Sequence, residues 1–237
     1  HERSSAASDV YKRQVLIDLP KDIQLTNVKY INKTQKIKKH NHYYSNVDED
    51  LINKVAKLLL QAERPIIYAG GGVVNSGPKA SKLLTELVNL LDCPVTLTLM
   101  GLGCVPNTNK NFLGMLGMHG TYEANLAMHN CDVMLNVGAR FDDRVTGRLN
   151  AFAPNSKKVH IDVDKSSINK VVSVDYGIVG DCKEVLSKLV QEVKKLHNQK
   201  TVKSKTRWWA QINQWKDRDS LGFKQVGNNI KPQQAIK

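Results

Sequence analysis

With 237 residues, 41% of them hydrophobic and 24% charged, the chain is long enough to bury the core of one or two domains. Its formal net charge of +13 sits at the two ends: residues 1–47 carry a surplus of +5 and residues 197–237 one of +7, while residues 48–196 carry only +1. A nearly neutral middle argues against a nucleic-acid partner, whose basic patch would lie on the folded body, and no run of about 18 apolar residues is present to span a membrane.

The first 14 residues show no periodicity. Asp9–Gln14 resembles the translated end of a transposon adaptor used in sequencing libraries, so residues 1–14 are set aside as a non-native scar. Val15 opens a short apolar run closed by Leu19-Pro20, which reads as a strand leaving a sheet. Residues 27–47 are rich in Lys, Asn and Tyr without an apolar period and read as linker. No targeting peptide is legible.

From Asp48 the pattern becomes alternating β and α. Asp48 caps a helix with Leu51, Val55, Leu58 and Leu59 at helical spacing, ended by Glu63-Arg64-Pro65. Ile66–Ala69 is a buried strand running into Gly70-Gly71-Gly72. A helix over 78–91 follows, then the strand Val95–Leu99, a loop from Gly101 to His119, a helix over 121–129 and the strand 132–138. Lys158–Asp164 is the fourth strand and Tyr176–Val179 the fifth. Cys182–Leu196 is an amphipathic helix with Val185, Leu186, Leu189, Val190 and Val193 on one face. This alternation predicts an α/β fold, a doubly wound parallel sheet with helices on both faces. The segment 197–237 begins as a basic linker, and Trp208–Trp215 reads as a short helix. Cys93, Cys104, Cys131 and Cys182 are scattered, without metal-ligand spacing. They read as reduced, buried thiols of a cytosolic or organellar protein, and no metal site is expected.

In a parallel sheet, ligands bind where strands end. The predicted strand ends are Gly70–Gly72, Thr98–Gly101, Gly138–Asp142, Asp162–Asp164 and Gly180-Asp181. Glycines and an arginine suit phosphates; aspartates suit sugar hydroxyls. The glycine triplet alone also fits a tight turn without ligand, and Asp142, Asp143 and Arg144 also fit an ion-pair knot at a helix start. His119 also fits a plain hydrogen-bonded loop residue.

The loop Leu116-Gly117-Met118-His119-Gly120 and the string Gly138–Gly147 (G-A-R-F-D-D-R-V-T-G) resemble the acetolactate synthase family of thiamine-diphosphate enzymes. VLIDLPKDIQ resembles the close of that family's first domain, and Ile230-Lys231-Pro232-Gln233 the opening of its third. The resemblance implies that residues 15–26 end the pyrimidine-binding domain, 48–196 form the central FAD-binding domain, and 197–237 are linker and the start of the diphosphate-binding domain. It implies FAD contacts at Gly71, Thr98, Leu99, Leu116, Gly117, Met118, His119, Gly138, Ala139, Arg140, Phe141, Asp142, Asp162, Val163, Asp181 and Cys182. It places Asp143 and Arg144 on the substrate channel and assigns the flavin no net redox step.

The glutamate that activates thiamine and the G-D-G motif that binds Mg²⁺ and the diphosphate belong to the other two domains. The chain therefore reads as an internal fragment, inactive alone and without catalytic residues of its own. Its parent would condense two 2-keto acids with decarboxylation in branched-chain amino-acid synthesis, as a homodimer or tetramer with a small regulatory subunit. The parent would be cytoplasmic in a bacterium, or sit in a plastid or mitochondrion in a eukaryote. The rivals are a glyoxylate carboligase or pyruvate oxidase with the same central domain, a stand-alone nucleotide-binding module, and a sirtuin-like deacylase.

Overall fold

The computed structural model describes residues 21–27, 29, 47–197, 203–224, 226–227 and 230–236. The chain divides into two units, His1–Tyr43 and Tyr44–Lys237. Of the first, the described part is one helical turn, Lys21–Gln24, after which the Thr26 hydroxyl donates to the Asp22 carbonyl at 2.7 Å. The scar assigned to residues 1–14, the strand expected from Val15 and most of the linker over 27–47 lie outside the described residues.

In the second unit, α1 (Glu49–Gln61) begins where the Asp48 carboxylate accepts from the Asp50 and Leu51 amides. This cap satisfies two of the donors that a helix start leaves open. The elements that follow are β1 (Pro65–Ala69), α2 (Gly71–Asn75), α3 (Pro78–Leu91), β2 (Val95–Leu97), β3 (Phe112–Met115), α4 (Tyr122–Asn130), β4 (Val133–Val137), α5 (Asp143–Thr146), β5 (Lys157–Asp162), β6 (Tyr176–Val179), α6 (Cys182–His197), α7 (Thr206–Lys216) and α8 (Pro232–Ile236).

Among the described residues, six strands form one sheet in the order β3-β2-β1-β4-β5-β6, every pair parallel. The two halves diverge from β1 and β4, which is the switch point where such sheets hold ligands beyond their carboxyl ends. Strands β1 and β4 are buried at every residue because both faces are covered. On one face Ile67, Ala69, Leu135, Val137, Val159 and Ile161 join the apolar sides of α1, α3 and α6. On the other, Ile66, Tyr68 and Met134 join Ala124, Ala127 and Met128 of α4 and Trp208 and Ile212 of α7.

The sequence predicts five strands, and the sixth is β3, inside the expected Gly101–His119 loop. Its four residues lie at the sheet edge, only one of them is buried, and Gly114 takes φ +86°. Half-exposure, brevity and a glycine leave no alternation to read. Helix α2 is also unpredicted, because its glycine-rich start favours a turn.

Candidate functional site

Because all six strands are parallel, every predicted strand end lies on the same edge of the sheet. At the switch point the backbones of β1 and β4 close on each other. The Gly70 amide donates to the Val137 carbonyl (3.0 Å) and the Gly72 amide to the Gly138 carbonyl (2.9 Å). A Cβ on Gly72 would stand 2.6 Å from the Gly138 Cα, and Gly138 itself takes φ +58°. Gly72 and Gly138 are therefore glycine for backbone packing. Gly71 is half-buried, and a Cβ there would stand 3.2 Å from the Met100 Cβ, so Met100 closes the side that a side chain would take.

The next strand end is turned by Thr98, whose hydroxyl accepts from the Gly101 amide at 3.0 Å. This turn pushes Leu99 and Met100 outward, to 70% and 68% exposure. After β3, the Leu116–Gly120 loop is clamped by Asn125 of α4. Asn125 accepts from the Gly117 amide and donates to the Gly117 carbonyl, each at 3.0 Å. Gly117 has φ +99°, and its Cβ would meet the Arg144 carbonyl. The Met118 amide donates to that same carbonyl at 2.8 Å. The LGMHG loop is thereby tied to the segment after β4, although β3 and β4 are separated by two strands. Met118 and His119 are exposed, and Leu116 is buried.

Beyond β4, Ala139 and Phe141 face the core and Arg140 faces out. The Asp142 carboxylate caps α5 by accepting from the Arg144 amide (3.1 Å) and also receives Arg140 Nη2 at 2.7 Å. The Arg144 amide first, with Arg140 contributing, holds the Asp142 carboxyl below the usual aspartate range. The sequence left open an ion-pair knot of Asp142, Asp143 and Arg144; the ion pair found at this helix start joins Asp142 to Arg140 instead. Asp143 and Arg144 are exposed beside it.

At β5 the Asp162 carboxylate accepts from the Asp164 amide (2.8 Å), and Val163 is 56% exposed. Asp181, half-buried before α6, accepts from the Lys183 amide (2.9 Å) and from the Ser76 hydroxyl at the end of α2 (3.0 Å). Cys182 is buried, and burial, with Asp181 adding, pushes its thiol up to about 12. The side chains of Leu116, Ala139, Phe141 and Cys182 therefore support the edge from beneath, and only their main chain can face a ligand.

The edge thus gathers exposed apolar side chains (Leu99, Met100, Met118, Val163), one arginine and carboxylates with lone pairs to spare. Met100 lies in the strand end Thr98–Gly101 expected from the sequence, though the family resemblance did not place it among the contacts; Ser76 and Asn125 were missed. Neither Ser76 nor Asn125 carries a signal in the sequence that could have found it.

Comparison with known proteins agrees with this fold. The family model described as "Thiamine pyrophosphate enzyme, central domain" matches residues 52–189. The chain belongs to this thiamine pyrophosphate enzyme central-domain family. The chain is 44% identical over 225 residues to the acetolactate synthase large subunit of Buchnera aphidicola subsp. Acyrthosiphon pisum. It is 44% identical over 227 residues to that of Haemophilus influenzae, and 39% identical over 224 residues to the acetolactate synthase isozyme 3 large subunit of Escherichia coli. Each alignment takes in 94% of this chain and 38–39% of the relative, so the chain spans about two-fifths of the length of these proteins. Among the described residues no helix is long and apolar enough to cross a membrane.

Proposed function

We propose that this chain supplies the FAD-binding central domain of an acetolactate synthase large subunit. The whole enzyme would join two 2-keto acids, pyruvate with pyruvate or with 2-ketobutyrate, with loss of carbon dioxide. In this reading residues 48–196 are the central domain. Residues 15–26 end the pyrimidine-binding domain and 197–237 are linker and the start of the diphosphate-binding domain, with α7 in that linker packing Trp208 and Ile212 on the central sheet. The name "large subunit" borne by the relatives supports a small regulatory partner, and the large subunits would pair as a homodimer or tetramer.

One observation carries the flavin assignment: exposed large apolar side chains stand with an arginine and carboxylates along a single sheet edge. Isolated, Leu99, Met100, Met118 and Val163 would need no explanation, but gathered at a strand-end edge they mark a ligand or partner surface. FAD has the matching parts. Its ring is flat and largely apolar, its diphosphate is anionic, and its ribityl and ribose chains carry hydroxyls. Gly71, half-buried at the start of α2, would bring its backbone to the ligand beside Met100. Arg140 would hold the diphosphate or the flavin side, and Asp162 and Asp181 retain lone pairs for hydroxyls. Bound FAD would order this edge without taking a net redox step. Asp143 and Arg144, exposed beyond Asp142, would line the channel to the reacting centre.

The residues present do not fit thiamine diphosphate or its Mg²⁺, since no Gly-Asp-Gly string occurs in the sequence. In this reading these groups are held by other domains of the enzyme. The flavin reading is tested by titrating the chain with FAD and following flavin fluorescence. Saturable quenching is expected, and its absence would overturn the assignment. The activity is tested on the intact enzyme, by acetolactate formation from pyruvate with thiamine diphosphate and Mg²⁺.

A further inference from the structure

Strand β4 is apolar except for Asn136, which is fully buried. A buried amide needs partners, and Asn136 finds both on one residue beyond the strand end. Its Nδ2 donates to the Ala139 carbonyl at 2.8 Å, and its Oδ1 accepts from the Ala139 amide at 3.2 Å. The neighbouring strand adds a third bond. His160, in register with Asn136 and 1% exposed, places Nε2 3.1 Å from the same Ala139 carbonyl. An acceptor there requires the proton on Nε2, so this side chain is a second donor to one oxygen. The His160 ring also meets the edge of Phe141, with centroids 5.1 Å apart at 71°.

The bonds converge on the peptide immediately before Arg140. Gly138, with φ +58°, turns the chain out of β4, and there the ladder stops. Without side-chain partners the buried Ala139 amide and carbonyl would be left unpaired. With them, Ala139 is fixed inward, Phe141 is packed on His160, and Arg140 between them is directed outward to pair with Asp142. The acceptor and donor of Asn136 are each matched to the opposite group of Ala139, so an apolar residue of similar size cannot replace it.

We propose that Asn136, seconded by His160, is a positioning residue for Arg140 at the cofactor edge; this rests on the flavin reading above. Neither side chain reaches solvent, so the effect of Asn136 on a ligand passes through Ala139, and that of His160 through Ala139 and through Asp162, whose Oδ2 lies 3.6 Å from Nε2.

The test is a double-substitution cycle on the full chain, read as FAD affinity by fluorescence quenching. Arg140→Ala alone is expected to weaken FAD about tenfold to a hundredfold, as for loss of a charge-assisted contact. Asn136→Leu alone should weaken it about tenfold, and in that background Arg140→Ala should add less than about threefold. Equal losses from Arg140→Ala in both backgrounds would overturn the proposal. His160→Gln, whose amide can still donate to Ala139, should retain affinity, while His160→Leu should not; equal behaviour of the two would remove His160 from the device. If the unsubstituted chain binds no FAD, the flavin reading fails. The positioning role is then read by trypsin: Asn136→Leu should speed cleavage after Arg140 relative to cleavage after the exposed Arg148. An unchanged ratio would overturn it.

Discussion

Asp142 joins two functions in one carboxylate, capping α5 and holding Arg140. Replacing it by alanine removes the cap and is expected to cost about 0.5–2 kcal/mol of stability near neutral pH. The pH dependence follows from the direction of its shift. The folded pKa lies below the ordinary 3.8, so this stabilisation is present above 3.8 and is lost as pH falls through the depressed folded value. Denaturant midpoints of the two proteins should therefore differ at pH 7 and converge in strong acid. A constant difference at all pH values would show that Asp142 acts through packing instead. For ligand binding, Arg140→Ala should be compared with Lys165→Ala, an exposed cation on the turn after β5. Only the first should weaken FAD, because the planar guanidinium can bind a phosphate in two places at once. Equal affinities would take Arg140 out of the site.

At the scale of elements, α7 is the part whose role composition does not announce. It follows a basic stretch, yet Trp208 and Ile212 are buried against the sheet face that also carries Tyr68 and Met134. Trp208 Nε1 donates to the Pro65 carbonyl at 3.1 Å and Trp209 Nε1 to the Asp92 carbonyl at 3.0 Å. Trp208 also meets Trp215 edge-on, with centroids 5.7 Å apart. Both indole bonds reach the end of the sheet opposite the candidate site. Trp208→Ala should therefore destabilise the fold by about 3–5 kcal/mol, as for other buried aromatic truncations. A loss below about 1 kcal/mol in urea unfolding would mean that α7 is only loosely held. The flavin quenching of the folded fraction should stay unchanged, because α7 contributes nothing to the strand-end edge.

For the whole molecule, a ligand that binds only the folded state must raise its stability. FAD at about a hundred times its Kd should add about 2.7 kcal/mol. For a chain of this size that corresponds to a rise in Tm of roughly 5–10 °C, readable by calorimetry. No rise at concentrations that saturate the quenching titration would mean that the flavin binds outside the folded edge. A polypeptide of this sequence, supplied with pyruvate, thiamine diphosphate and Mg²⁺, is expected to form no acetolactate. No Gly-Asp-Gly string is present to hold the diphosphate and metal.

The parallel α/β class was legible because β1 and β4 are apolar runs and α1, α3 and α6 are long helices with apolar residues at helical spacing, and local pattern reports burial. The strand ends were legible for the same reason: once β1, β2, β4, β5 and β6 are read as parallel, their carboxyl ends must share an edge. Tertiary structure decided what local pattern does not encode. Strand β3 exists because the edge of β2 offers it backbone partners, with no apolar alternation of its own. Gly72 and Gly138 are glycine because two strand tips touch, which spacing along the chain does not reveal. Arg140 is aimed by Asn136 and His160, and Gly117 is held by Asn125. A buried asparagine in an apolar strand was the one available hint, but its partners depend on register. Hydrogen bonds between residues brought together by folding are set by three-dimensional distance, and the sequence orders those residues only along a line.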